Sequence, residues 1–148
     1  MVSRLYHVNP GWLPLEYLLE EALSKMGQTS GAADTSLFLS MLDLEVAPQE
    51  LKVLLAGEKA PFVLDVREPW ETNSVGFPGA LAMPMGEVPA RAYNELDPDQ
   101  RIVVICHHGL RSLNVANWLR NQGFEQAQSL RGGIDAWARD IDPAVTRY

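Results

Sequence analysis

Among all 148 residues there is one cysteine, Cys106, and its neighbours are the residue types that make a thiol reactive. Ile102-Val103-Val104-Ile105 runs into it, and His107-His108-Gly109-Leu110-Arg111-Ser112 leads away. Four consecutive β-branched residues predict a buried strand. Past Ser112 the pattern becomes helical through Leu113, Ala116, Trp118 and Leu119, up to Gly123. The order is strand, cysteine, a six-residue loop from Cys106 to Arg111, then a helix N-terminus. That order aims backbone N–H groups and the positive end of a helix at one sulfur atom. Such a setting favours the thiolate, the nucleophilic form. Gly109 lets the backbone curl with its amides inward, and Arg111 supplies a fixed cation for an anionic donor. A lone cysteine also suits a strand end as a small buried hydrophobe. The flanking Gly109 and Arg111 favour the chemical role.

The elements that must hold this loop alternate between strand and helix. Leu44-Glu45-Val46 reads as a short strand, and Pro48 to Gly57 as a helix opened by proline and closed by glycine. Phe62 to Val66 is a strand continuous in apolar residues, as a sheet covered on both sides requires. Glu68 to Asn73 forms a short helix or loop, Leu81 to Met83 a short strand, and Glu87 to Leu96 a partial helix broken by Pro89. Ala127 to Leu130 is the last strand and Gly133 to Arg139 the last helix. This β–α alternation predicts an α/β fold with a mainly parallel, five-stranded sheet and helices on both faces. Ligands in such sheets bind at the carboxyl ends of strands, where Cys106 lies.

Residues 1–43 are different in character and are read as an N-terminal helical extension to a domain spanning 44–148. Pro14 to Met26 carries the stripe Leu15, Leu18, Leu19, Leu23; Gln28 to Thr35 is small and polar; Ser36 to Leu44 is apolar again. This segment either caps the domain or presents a helix pair for homodimerisation or partner docking.

Composition sets further bounds. A hydrophobic content of 47% supports a real core. A net charge of −7 argues against nucleic acid, which needs a basic face. It also opposes anionic substrates at long range, so the loop must supply its own positive potential. A single cysteine forms no internal disulfide and fits a reducing compartment. No apolar run is long enough to span a membrane. The start, Met1 to His7, lacks the apolar centre of a secretion signal. These readings predict a cytoplasmic protein that does not act on membranes.

The segment Cys106-His107-His108-Gly109-Leu110-Arg111-Ser112 resembles the active-site loop of rhodanese-like sulfurtransferases. Other marks of that family follow in order: Leu64-Asp65-Val66-Arg67-Glu68, Phe77-Pro78-Gly79-Ala80, Gly123-Phe124, and Leu130-Arg131-Gly132-Gly133-Ile134-Asp135-Ala136-Trp137. The resemblance covers roughly Leu44 to Asp142, about two thirds of the chain. One departure concerns local packing: Gly76 stands where the family usually has a histidine.

The resemblance implies a rhodanese-like fold and transfer of a sulfane sulfur. Cys106 would attack the outer sulfur of thiosulfate or a similar donor, and the resulting persulfide would pass to a thiol or to cyanide. The N–H groups of His107, His108, Gly109, Leu110, Arg111 and Ser112 would stabilise the anionic sulfur. Arg111 would orient the donor's anionic end, or else brace the loop. His107 and His108 are read as contributors of amides with rings at the rim; the alternative is a partly protonated neighbour that favours the thiolate. Asp65 and Arg67 are read as a charge pair supporting the loop. Trp70 and Trp137 are read as core or pocket-wall aromatics. Three adjacent residues do not converge on one ion, so no metal is expected, and no cofactor is implied. Gly132-Gly133 lacks the third glycine of a dinucleotide fingerprint and reads as a strand-to-helix turn.

Two other functions compete. Cysteine phosphatases and arsenate reductases use a similar loop, one residue longer than the four-residue span between Cys106 and Arg111 here. A sulfur-relay or interaction protein would share the first half-reaction but hand the sulfur to a protein docked on residues 1–43.

Overall fold

A computed structural model describes residues 43–148. Of the extension read over residues 1–43, all but Asp43 lies outside the described residues, with the helix expected at 14–26 and most of the apolar segment 36–44. Asp43 and Leu44 form a turn. Five strands then alternate with five α-helices: β1 Glu45–Val46, α1 Pro48–Ala56, β2 Phe62–Asp65, α2 Pro69–Ser74, β3 Leu81–Ala82, α3 Val88–Glu95, β4 Ile102–Ile105, α4 Leu110–Asn121, β5 Ala127–Leu130 and α5 Gly133–Asp140. A 3-10 turn, Met85–Glu87, leads into α3.

All four strand pairings are parallel, in the order β1-β5-β4-β2-β3. The strand before the cysteine is therefore central, with Leu64 opposite Val104 on one side and Val104 opposite Ser129 on the other. Its composition follows from that place. Ile102, Val103, Val104 and Ile105 are fully buried because helices cover both faces. Leu64, Ile102 and Val104 pack with Val88 and Ala92 of α3 and Val115, Ala116 and Leu119 of α4. On the other face Val63, Val103 and Ile105 meet Leu51 of α1 and Ile134 and Trp137 of α5. Each such side chain contributes roughly 1.5–3 kcal/mol by leaving water. The sheet is thus a rigid platform whose carboxyl edge carries the functional loops.

Two local readings change, and a third is narrowed. Pro89 does not break a helix; it sits in the first turn of α3, where its missing N–H costs nothing. α4 starts at Leu110, not after Ser112, because Gly109 takes a left-handed φ of 99° and turns the chain into the helix early. Of the two aromatics read as core or pocket wall, Trp137 is buried in the core and Trp70, 66% exposed, lies outside it.

Candidate active site

The sulfur of Cys106 lies at the end of β4, buried at the floor of its loop. Two backbone N–H groups point at it: Gly109 N at 3.1 Å and Ser112 N at 3.3 Å. Of the amides expected from the loop, these two have hydrogen-bond geometry to Sγ. The Ser112 hydroxyl lies 3.2 Å from Sγ and accepts from the thiol. It also shares a 2.8 Å hydrogen bond with the buried Ser129 hydroxyl from β5. With the thiol ionised, the Ser112 hydroxyl can turn to donate instead, since a hydroxyl rotor serves either role.

The amides face inward because the loop carbonyls are taken up elsewhere. Ile134 N donates to the Cys106 carbonyl at 2.8 Å, and Asp135 N to the His107 carbonyl at 3.1 Å. These donors are N-terminal amides of α5, which have no partner inside their own helix. The approach demands glycine at position 133. Its φ is +63°, and a Cβ there would overlap the His107 carbonyl and sit 2.5 Å from the Cys106 carbonyl oxygen. The Gly132-Gly133 turn is therefore what lets one helix end clamp the loop while α4 begins from it.

A second structure, built from side chains, stands beside the loop. Arg67 is completely buried. Its Nε donates to Asp65 Oδ1 at 2.9 Å and Oδ2 at 3.2 Å, and its Nη2 to Asp65 Oδ2 at 2.6 Å. Nη2 also reaches the Val75 carbonyl at 2.9 Å, and Nη1 the Tyr148 hydroxyl at 3.0 Å. Tyr148 in turn donates to Glu71 Oε1 at 3.0 Å. Glu71, buried on α2, takes a bidentate pair from Arg111: Nη1 to Oε2 at 2.7 Å and Nη2 to Oε1 at 2.8 Å. Oε2 also accepts from Glu68 N at 2.8 Å. The Arg111 pairing holds the Glu71 carboxyl down at about 2. The same hydrogen bonds push the Arg111 guanidinium further up, and burial pushes the Tyr148 phenol up.

The structure thus gathers the expected residues in two groups. Cys106, Gly109 and Ser112 meet at the sulfur. Asp65 and Arg67 form the charge pair read from the sequence, and the pair reaches the loop through Tyr148, Glu71 and Arg111. The Arg111 side chain brings both terminal nitrogens to Glu71, the bracing use of the two considered, and keeps 33% of its side chain exposed. The His107 ring is stacked between His108, 3.8 Å away, and Tyr148, 4.0 Å away. Its buried Nε2 has no hydrogen-bond partner. His108 and Leu110 are exposed at the rim. Glu71, Tyr148 and Ser129 were not foreseen. A carboxylate three residues beyond Glu68, with Pro69 opening the helix, was the available sign of Glu71 as a helix-start acceptor.

Comparison with known proteins places this geometry in company. A family model described as "Rhodanese-like domain" matches residues 47–140. A protein named "Sulfurtransferase" from Allochromatium vinosum is 36% identical over 101 residues, covering 68% of this chain and 94% of that one. A "Thiosulfate sulfurtransferase GlpE" from Actinobacillus pleuropneumoniae is 32% identical over 104 residues, 70% of this chain and 94% of its own. A chloroplastic "Rhodanese-like/PpiC domain-containing protein 12" from Arabidopsis thaliana is 36% identical over 89 residues; the match covers 58% of this chain and only 30% of that longer protein. Among solved structures, a rhodanese-like domain protein from Staphylococcus aureus superposes with a TM-score of 0.61 at 28% identity, over 70% of this chain and 97% of that one.

Proposed function

The chain belongs to the rhodanese-like domain family, and from that premise we propose that it is a sulfurtransferase working through a persulfide on Cys106. The observation that carries this reading is the pair of inward amides, Gly109 N and Ser112 N, on a sulfur at the closed end of the loop. Cys106 as thiolate attacks the outer sulfur of a sulfane donor. With thiosulfate the Sγ–S bond forms as the sulfur–sulfur bond of the donor breaks, and sulfite leaves with the electron pair. The charge on the persulfide formed at Cys106 stays where the amides and the Ser112 hydroxyl can stabilise it. A thiol or cyanide then removes the outer sulfur and restores Cys106. His107, His108, Leu110 and Arg111 shape the loop and its rim, and Asp65 with Arg67 anchors its neighbour. The chain's own residues suffice for this chemistry, with no cofactor or metal.

The domain is proposed to span residues 44–148. A reducing, cytoplasmic setting suits a catalytic thiol, and among the described residues no helix is long and apolar enough to cross a membrane. The phosphatase alternative loses support at Arg111, whose two terminal nitrogens both bond Glu71. The relay alternative shares the first half-reaction; its docking segment, residues 1–43, lies almost wholly outside the described residues.

Steady-state turnover tests the proposal. Supplied with a sulfane donor and cyanide, the protein should release thiocyanate, and Cys106→Ser should release none. Turnover retained in Cys106→Ser would overturn the mechanism.

A further inference from the structure

The sulfurtransferase reading leaves the donor open, and the charges at the mouth narrow it. Thiosulfate carries its outer sulfur on a sulfonate, and the ion is a dianion. Seating it favours cations not already paired with a carboxylate, because an ion taken out of water without a counter-charge is costly. Here the guanidiniums at the carboxyl end of the sheet are engaged. Arg67 is sealed against Asp65, and Arg111 is paired bidentately with Glu71. Arg147 holds Asp135, the first-turn residue of α5 beside the loop, at 2.9 Å. Arg131, just after β5, faces Glu45 at 4.0 Å. The loop contains no lysine, and the described lysines, Lys52 and Lys59, lie on α1 and in the turn leading into β2. Among the described residues, each of these four guanidiniums thus faces a carboxylate, on a chain of net charge −7.

The mouth presents apolar surface instead. Trp70 is 66% exposed, Leu110 56% and Tyr148 37%. Trp70 meets Tyr148 edge-on at 6.1 Å, and the Arg111–Glu71 bridge ties the start of α4, which carries Leu110, to α2, which carries Trp70. Beneath Tyr148 the two histidine rings continue the stack.

We propose that the donor suited to this mouth is an alkyl persulfide, R–S–SH, in preference to thiosulfate. The Cys106 thiolate attacks the outer sulfur; the Sγ–S bond forms, the R–S to S bond breaks, and the electron pair leaves as the thiolate R–S⁻. The outer sulfur keeps its proton, and no oxidant or reductant is consumed. Any negative charge on the donor rests on sulfur, at the amides of Gly109 and Ser112, while the carrier R lies against Trp70, Leu110 and Tyr148. R is the carbon skeleton of a small thiol or a cysteine within a polypeptide; the chemistry at the sulfur is the same.

The test is sulfur loading of the full wild-type chain, followed by intact-protein mass spectrometry. The donors are thiosulfate, the persulfide of uncharged N-acetylcysteine amide, and the persulfide of an acetylated Leu-Cys-Phe amide. Each rate is divided by that donor's rate with free cysteine. The persulfides are expected to load Cys106 about tenfold or more faster than thiosulfate on this scale. An excess of the peptide over the small persulfide identifies a polypeptide carrier, and equal rates identify a small thiol. Thiosulfate loading as fast as either persulfide would overturn the donor assignment and leave the sulfurtransferase reading standing. Loading by none of the three would overturn that reading itself. Glu71→Gln, which frees Arg111 of its carboxylate, should shift the ratio toward thiosulfate; an unchanged ratio in the folded variant would contradict the charge argument.

Discussion

The loop after β4 and the segment after β2 lie side by side at the same sheet edge, yet they are built on opposite plans. The loop acts through its backbone: two amides on Sγ, two carbonyls tied to α5, glycines where side chains would collide. The β2 segment acts through side chains: a sealed Asp65–Arg67 pair, then Tyr148, Glu71 and Arg111. A backbone cradle can hold a reactive anion without placing a cation next to it, so the sulfur stays available for exchange. A side-chain network fixes geometry at the cost of spending its charges internally. The division explains why the loop can carry two histidines and a leucine at its rim without those side chains bonding the sulfur.

The comparison breaks most visibly at Arg67. Arg67→Leu leaves Asp65 buried without its cation, and the expected loss is about 3–5 kcal/mol in urea unfolding. The double variant Asp65→Leu/Arg67→Leu should recover much of it; a double variant as unstable as the single one would mean packing, not charge, sets the cost. Gly133→Ala attacks the backbone plan. A side chain there meets the Cys106 and His107 carbonyls, so a loss of about 2–3 kcal/mol is expected, with sulfur loading impaired even in the folded fraction. Normal loading in that variant would show that α5 does not set the loop.

Acid titration probes the side-chain half. The Glu71 carboxyl falls from 4.5 to about 2 in the fold. A depressed carboxyl stabilises fully above its unfolded value, and the contribution drains away as pH falls from about 4.5 toward 2, amounting to at most about 3 kcal/mol. Glu71→Gln should therefore be less stable than wild type at neutral pH and converge with it below pH of about 2; parallel curves would contradict the assignment. The smallest effect sharpens the contrast. His108→Ala, at an exposed loop position, should change stability by no more than about 0.5 kcal/mol and leave loading nearly unchanged. A large loss of loading would give that ring a chemical role.

The two plans also explain what could be read in the sequence. The cradle is local: strand, cysteine, Gly109 and Ser112 fall within eleven residues, from Ile102 to Ser112, and β-branched runs and glycine spacing declare it. Strands β2 and β4 were legible for the same reason, since each is a short, mainly apolar run between turn residues. The helix start at Leu110 was placed three residues late because Gly109 was read as part of a curl and not as the cap. The network was legible only at Asp65 and Arg67, two residues apart. Glu71 meets Arg111 across 40 positions and Tyr148 across 77, and no periodicity encodes such pairs. Trp70 was read by its type as core or pocket wall, and the short helix α2 turns it out of the core to solvent.

The central claim is that Cys106 carries the transferred sulfur. Intact-protein mass spectrometry after incubation with a sulfane donor, beside Cys106→Ser, tests it most directly. The account predicts a gain of one sulfur atom on the wild-type chain, lost on adding cyanide or a thiol and absent in the variant. An equal gain in Cys106→Ser, or no gain from thiosulfate or either persulfide, would contradict it.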